Sequence, residues 1–232
     1  MTKEWAKFVK SFITNEGYKN VLNGLGNTFR IAFFGFIIGL IIGIIVASIK
    51  IAGAYNKPAK AVSKIGDVYV AFFRGTPIVV QLLLLYYVLF PLMGISMKNI
   101  IVATITFGLN SGAYVSEIMR AGILSVDKGQ MEAGRSLGLS YSKTMFKIVL
   151  PQAFKNMLPT LGNEFIALLK DTSVVGFIAV TDLTQAFQLL GSGNYEYIVP
   201  YLMLALCYVI IILFFSALIK LIERRLRASD RN

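Results

Sequence analysis

Seven polar side chains stand inside otherwise apolar stretches of this 232-residue chain: Arg74, Gln81, Asn110, Ser111, Asn163, Glu164 and Asp171. A polar group in an apolar stretch is costly unless it is paired or hydrated, so each needs a reason. The two carboxylates can hold a cation, the guanidinium can hold an anion in a fork, and the amides and hydroxyl can donate or accept. That is the chemistry of holding a polar solute, not of breaking a bond. There is no histidine and a single cysteine, Cys207, so a histidine-centred hydrolase, a zinc site, a haem site and an internal disulfide are all excluded. Simpler readings stand beside this one. Asp171 could pair with Lys170, and Arg74 could neutralise Glu117 or Glu164, or reach the inner membrane surface along its own stem. Glu164 could be a packing or gating ion-pair member, and Tyr86 and Tyr87 interfacial belt residues.

The stretches around these residues read as membrane helices. The chain is 56% hydrophobic and 15% charged, with a mean hydropathy of +0.68, values of the polytopic membrane class. Spans are predicted over about Arg30–Ile49, Ile65–Leu92, Ile100–Ile123, a fourth starting near Pro151 or later, and Ile198–Ile222, each about 20 residues or more. The fold class is therefore all-α with five transmembrane helices, in one domain over 1–232. In the first span Gly35, Gly39 and Gly43 recur every four residues, a ridge that suits close helix packing. The second is interrupted at Gly75-Thr76-Pro77, where neighbours or water must satisfy the freed backbone groups. Along the fourth, Asn156, Thr160, Asn163 and Ala167 share a face with Glu164 beside it. A helix so polar should line the bundle interior or a hydrated path. If the bilayer begins near Pro159, the favoured register, Asp171 lies about 18 Å further along, near the midplane, and Val174–Val180 completes the crossing, whereas a start at Pro151 would put Asp171 at the outer surface.

The net charge of +11 forms no single run or face, so it does not indicate nucleic acid. Placing the segment between the third and fourth spans in the cytosol puts fourteen of the 23 Lys and Arg residues inside and six outside, with Arg30, Arg74 and Lys155 unassigned. The amino terminus is then predicted outside and the carboxyl terminus inside. Residues 1–20 read as an external interfacial helix, with Trp5, Phe8, Val9, Phe12 and Ile13 on one face. The stretch Asp171–Glu196 carries no Lys or Arg. It could gate a path or receive an external protein, or Asp182 could belong to an ordinary solvated loop.

The polar segment itself, about 127–150, should be a helical hairpin. Asp127 can accept from amides opening a helix, and Gln130 completes a capping-box-like pair. Gly138 suits a left-handed residue that ends the helix. Ser140 can cap a second helix, Tyr141–Leu150, which Pro151 interrupts or restarts.

Its sequence, Glu132-Ala-Gly-Arg-Ser-Leu-Gly138 followed after nine residues by Ile148-x-Leu150-Pro151, resembles the signature loop of the membrane subunits of bacterial ABC importers. Gly134 stands where that family usually has Ala. Phe73-Arg-Gly-Thr-Pro with Gln81-Leu82, the run Asn110 to Gly122, Gly162-Asn-Glu-Phe165, Leu169-Lys-Asp-Thr-Ser173 and the tail Glu223–Arg227 are similar to its polar amino acid branch. The resemblance covers roughly residues 20–227. It implies a permease subunit of the type I importer fold in a bacterial inner membrane, moving a polar amino acid. It also implies a second permease chain, an external solute-binding protein and an ATPase subunit gripped through Glu132, Ala133, Gly134, Arg135, Leu137 and Gly138. No phosphate-cradling GxxxxGK[ST] loop is present, so ATP and magnesium would sit on the partner ATPase and no cofactor on this chain. For an amino acid, Asp171 would accept the ammonium while Arg74, Gln81, Ser111 or the amides of the interrupted helix donate to the carboxylate. An ion-coupled secondary carrier or a multi-pass membrane enzyme is the alternative. Inverted repeats or clustered titratable groups would favour it, and neither is found.

Overall fold

The computed structural model describes residues 2–53, 57–193 and 195–228, and every regular element among them is helical. In chain order these are α1 (Thr2–Val9), α2 (Gly17–Gly53), α3 (Lys57–Gly75), α4 (Ile78–Leu84), α5 (Phe90–Leu92), α6 (Asn99–Leu124), α7 (Lys128–Ser136), α8 (Tyr141–Thr144), α9 (Leu150–Asp171), α10 (Leu183–Ser192) and α11 (Ile198–Ala228). Wider, π-type turns over Lys10–Thr14, Leu85–Leu89 and Met145–Val149 lead from α1, α4 and α8 toward α2, α5 and α9. Two of them lie just before a proline, Pro91 and Pro151. Proline lacks a donor and crowds the carbonyl four residues back, and a loosened turn relieves both. The expected interruption at Pro151 is thus a bulge in a continuing helix.

By length and apolarity, α2 and α11 can each cross a membrane, and α3 with α4 would form a third span bent by 110°. The core is built on α2 and α6, which share the largest helix–helix interface. Sequence explains the closeness. Methyl groups placed at Gly35, Gly39 and Gly43 would run into Phe107, Ser111 and Val115 of α6, and at Gly108 and Gly112 into Ile38 and Ile42 of α2. Five glycines therefore set the approach of these two helices. Gly43→Val should lower the thermal unfolding midpoint of the detergent-solubilised protein, an overpacking cost of about 1–3 kcal/mol. Gly26→Ala, in the same helix but with nothing within 4 Å of the added carbon, should leave it unchanged or raise it.

Ile31, Leu82, Phe107, Leu168, Leu169, Val175 and Ile178 fill the centre of the bundle. The run expected to finish the fourth crossing is instead a 3-10 turn, Thr172–Ile178, with Thr172, Val175 and Ile178 buried. Ala179 then takes a left-handed conformation at φ 56°, and the chain reverses into α10. Asp182 is fully buried, not solvated. Its carboxylate accepts from the amides of Thr184 at 3.0 Å and Gln185 at 2.9 Å and so caps α10. Burial pushes this carboxyl above the usual range, and the two amide hydrogen bonds pull it back. The corner is stapled to α2, since Thr28 Oγ1 accepts from the Leu183 amide and Asn27 donates to the Thr181 carbonyl. Phe8 of α1 is buried with Val21, Phe187, Leu190 and Val199, whereas Trp5 and Ile13 stay exposed.

Candidate functional site

The bend between α3 and α4 is where sequence and site meet. Pro77 takes an extended conformation, and the carbonyls before it lose their helical partners. Buried Gln81 supplies replacements: its Nε2 donates to the Phe73 carbonyl at 2.8 Å and to the Thr76 carbonyl at 2.9 Å. Asn110 of α6 donates to Gln81 Oε1 at 2.9 Å and reaches the Phe73 carbonyl at 3.3 Å. Thr76 Oγ1 donates to the Phe72 carbonyl. Gln81 and Asn110, expected along a substrate path, have these polar atoms committed to the bend.

Arg74, one residue beyond the clamped carbonyl, lies over the Tyr114 ring at 5.3 Å from its centroid, a cation–π contact. It forms no salt bridge with Glu117 or Glu164 among the described residues. Glu117 is taken by others. Its two oxygens accept from Lys50 of α2 at 2.7 Å and Arg120 at 2.8 Å, and Lys50 also meets Asp67 of α3 at 2.9 Å. The four-residue cluster joins three helices. Sequence reasoning missed it, although Lys50 at the end of an apolar run was a signal.

Arg74, Tyr114, Glu117, Lys155, Asn156 and Thr160 line a cavity of about 730 Å³ at the end of the bundle that carries α7. The polar face of α9 thus does face a recess, through Asn156 and Thr160. Asn156 also donates to Ser125 Oγ at 2.9 Å. Further up α9, Asn163 is exposed, while Glu164 and Asp171 are half-buried. Neither carboxylate is in a salt bridge among the described residues. Ser111, within electrostatic reach of Glu164, is fully buried and its hydroxyl has no hydrogen-bond partner among the described residues. The seven residues therefore separate into a structural pair (Gln81, Asn110), a cavity cation (Arg74), a polar stretch of α9 (Asn163, Glu164, Asp171) and buried Ser111 near Glu164.

The segment after α6 is a helical hairpin. Asp127 accepts from the Gly129 amide at 2.7 Å, and Ser140 Oγ from the Lys143 amide at 3.3 Å. Gln130 does not complete a capping box, and its Oε1 accepts from Gln152 instead. Gly138 is left-handed at φ 81°. Its amide donates to the Arg135 carbonyl at 3.0 Å, and the Leu139 amide to the Gly134 carbonyl at 3.1 Å, the paired bonds of a Schellman end. Gly134 is buried where an added methyl would overlap Thr144, so glycine sets the approach of α7 to α8. Glu132, Ala133, Arg135, Leu137 and Gly138 are exposed, Leu137 by 82%.

The family described as binding-protein-dependent transport system inner membrane component matches residues 39–228. The chain belongs to that family. It is a transport permease subunit, not an enzyme, and a multi-pass inner membrane protein. The arginine transport system permease protein ArtQ of Bacillus subtilis is 39% identical over 210 residues, covering 90% of this chain and 94% of that one. The L-cystine permease protein TcyB of the same organism is 42% identical over 204 residues, covering 88% and 85%. A crystal structure of an amino acid ABC transporter with histidines superposes with a TM-score of 0.83 at 38% identity, covering 91% of this chain and 96% of that one. The inward-facing MetNI methionine transporter, at 21% identity and a TM-score of 0.64 over 91% and 94%, shares the fold.

Proposed function

We propose that this permease is one half of a pair that carries a polar amino acid into the cell, driven by a separate ATPase gripped at the hairpin 127–150. The exposed face of that hairpin is the observation that carries the reading. Glu132, Ala133, Arg135, Leu137 and Gly138 point away from the bundle while Gly134 anchors the segment to α8. Relatives bearing the names of arginine and cystine permeases support the substrate class. The spans are α2, the bent α3–α4 pair, α6, α9 and α11. The amino terminus lies outside with a solute-binding protein above it, and the carboxyl terminus lies in the cytosol.

Along the path, Asp171 and Glu164 take the ammonium or cationic end of the solute. They lie two turns apart on α9, about 10 Å along the axis. Arg74, at the cavity, offers a donor to the carboxylate, with exposed Asn163 further along α9, buried Ser111 behind Glu164 and Gln81 and Asn110 framing the bend. ATP-driven closure of the ATPases moves the hairpins, and the two halves rock between outward and inward openings.

The test is uptake into proteoliposomes holding the complete complex, with the twenty amino acids competing against a labelled one. Uptake should require ATP inside, the ATPase and the external binding protein, and polar amino acids should compete best. Full-speed uptake without the ATPase chain would overturn the assignment.

A further inference from the structure

Two recesses run into one another beside the α2–α6 pair, at the end that carries α7. The larger, about 710 Å³, is lined by Ile44, Ala47 and Ile51 of α2, by Met119 of α6, and by Phe146 and Leu150. The smaller, about 240 Å³, shares Ile51, Ile123, Tyr141 and Met145 with it and adds Lys50 and Arg120. Ile44 and Phe146 are 48% and 70% exposed, so this wall is left open by the described chain. The apolar run of α2 ends at Ile51, which puts the trough at the last turns of a span with Lys50 in its final turn and Arg120 in the last turns of α6.

We propose that this trough binds an anionic phospholipid of the inner leaflet, with its phosphate at Arg120 and Lys50 and an acyl chain lying along α2. The leaflet rests on the orientation proposed above, whereas the meeting of an apolar trough with Arg120 and Lys50, both already paired to carboxylates, does not. Arg120 is 42% exposed at its side chain, and only its Nε and Nη2 are engaged by Glu117 among the described residues. A guanidinium carries five donors in a planar fork, enough to hold a carboxylate and a phosphate together. Exposed Lys143 and Lys147 flank Met145 and add to the local positive field. A peptide is a poorer occupant. Its backbone amides would enter a trough whose walls are nearly all apolar, and each amide left without a partner is costly. A lipid brings its charge at one end and hydrocarbon at the other, as the two recesses require. Bound there, it would tie the end of α2 to the turn Met145–Val149 in the second arm of the hairpin.

The test is native mass spectrometry of the purified transporter complex equilibrated with equal phosphatidylglycerol and phosphatidylcholine. The wild type should retain phosphatidylglycerol preferentially. Arg120→Gln should lower that retention about fivefold, the worth of one cationic side chain near an anionic lipid surface, and Arg120→Lys should largely keep it. Asp67→Asn, which removes a carboxylate competing for Lys50, should raise retention. Ile44→Trp should lower retention of both lipids by filling the trough. Equal phosphatidylglycerol retention in wild type and Arg120→Gln would overturn the proposal. So would a fall in both Arg120→Gln and Asp67→Asn, which marks mere loosening of the cluster. Full displacement by inorganic phosphate, or cross-linking of Ile44→Cys to a second copy or to the ATPase, would overturn it equally.

Discussion

Gln81→Leu is expected to destabilise the protein by about 2–4 kcal/mol, since a buried hydrogen-bonding group stripped of its partner costs about 1–3 kcal/mol. Leucine has similar bulk, so the loss is in pairing, not volume. The Thr76 carbonyl would be left without its side-chain donor, the Phe73 carbonyl would keep only Asn110 at 3.3 Å, and Asn110 would lose its acceptor. Asn110→Ala removes one member and leaves Gln81 on the two carbonyls, so its effect should be smaller. Gln81→Glu offers a sharper discrimination. An ionised carboxylate has no proton to give to either carbonyl, whereas its protonated form can donate to one. A charged carboxylate buried against carbonyl oxygens is disfavoured, so this variant should be at least as destabilised as Gln81→Leu although its size is kept. Thermal unfolding in detergent measures both. A wild-type-like midpoint for Gln81→Leu would mean the bend does not depend on the amide. Because Arg74 follows the clamped Phe73 directly, loss of the clamp should also displace the cation over Tyr114 and reduce uptake.

How much of the structure chain order discloses depends on the range of the interactions. Local features are legible: the glycine ridge Gly35-Gly39-Gly43, the break at Gly75–Pro77, the caps Asp127 and Ser140, and left-handed Gly138. Each is determined by residues within one or two turns. The polar character of α9 is legible too, and Asn156 and Thr160 do face a cavity. Direction is not. Gln81 and Asn110 look like path residues because a sequence shows that a polar group is surrounded by apolar neighbours, not what it points at. Gln81 points at carbonyls freed by its own bend, and Asn110 reaches across from α6 to Gln81 and to one of those carbonyls. Glu117 has several cations available, and its partner Lys50 lies 67 positions away, a separation at which spacing carries no information. Val174–Val180 looks like the end of a span because a short apolar run does not distinguish a buried turn from a helix. Its burial is fixed by Ile31, Leu82 and Leu169 from other helices. Asp182 misleads similarly, since the need for a cap at Leu183 shows only once the reversal at Ala179 is known.

Gly138→Val should abolish coupled uptake while leaving the bundle folded. At φ 81° with no atom within 4 Å of a new Cβ, the substitution meets no steric neighbour and acts only through backbone conformation. A side chain in the left-handed region costs about 1–2 kcal/mol, more when β-branched. The hairpin can avoid that strain by giving up the two bonds that end α7, from the Gly138 and Leu139 amides. Leu137, 82% exposed, would then leave its position. Losing one apolar anchor at an interface costs on the order of 2 kcal/mol, about thirtyfold in affinity. The expected order of uptake is wild type, Gly138→Asn, Gly138→Ala, Gly138→Val, because asparagine tolerates the left-handed region best among non-glycine residues. Glu132→Ala is the complementary variant. Its side chain is exposed on the first turns of α7, so removing it should leave thermal stability unchanged while the ratio of solute moved to ATP hydrolysed collapses. Gly134→Ala should fail differently, lowering stability by forcing a methyl into Thr144. Three variants within seven residues thus separate loss of hairpin shape, loss of a contact and loss of anchoring. If Gly138→Val and Glu132→Ala both transport at the wild-type rate per ATP, the hairpin is not the handle through which the ATPase moves this bundle.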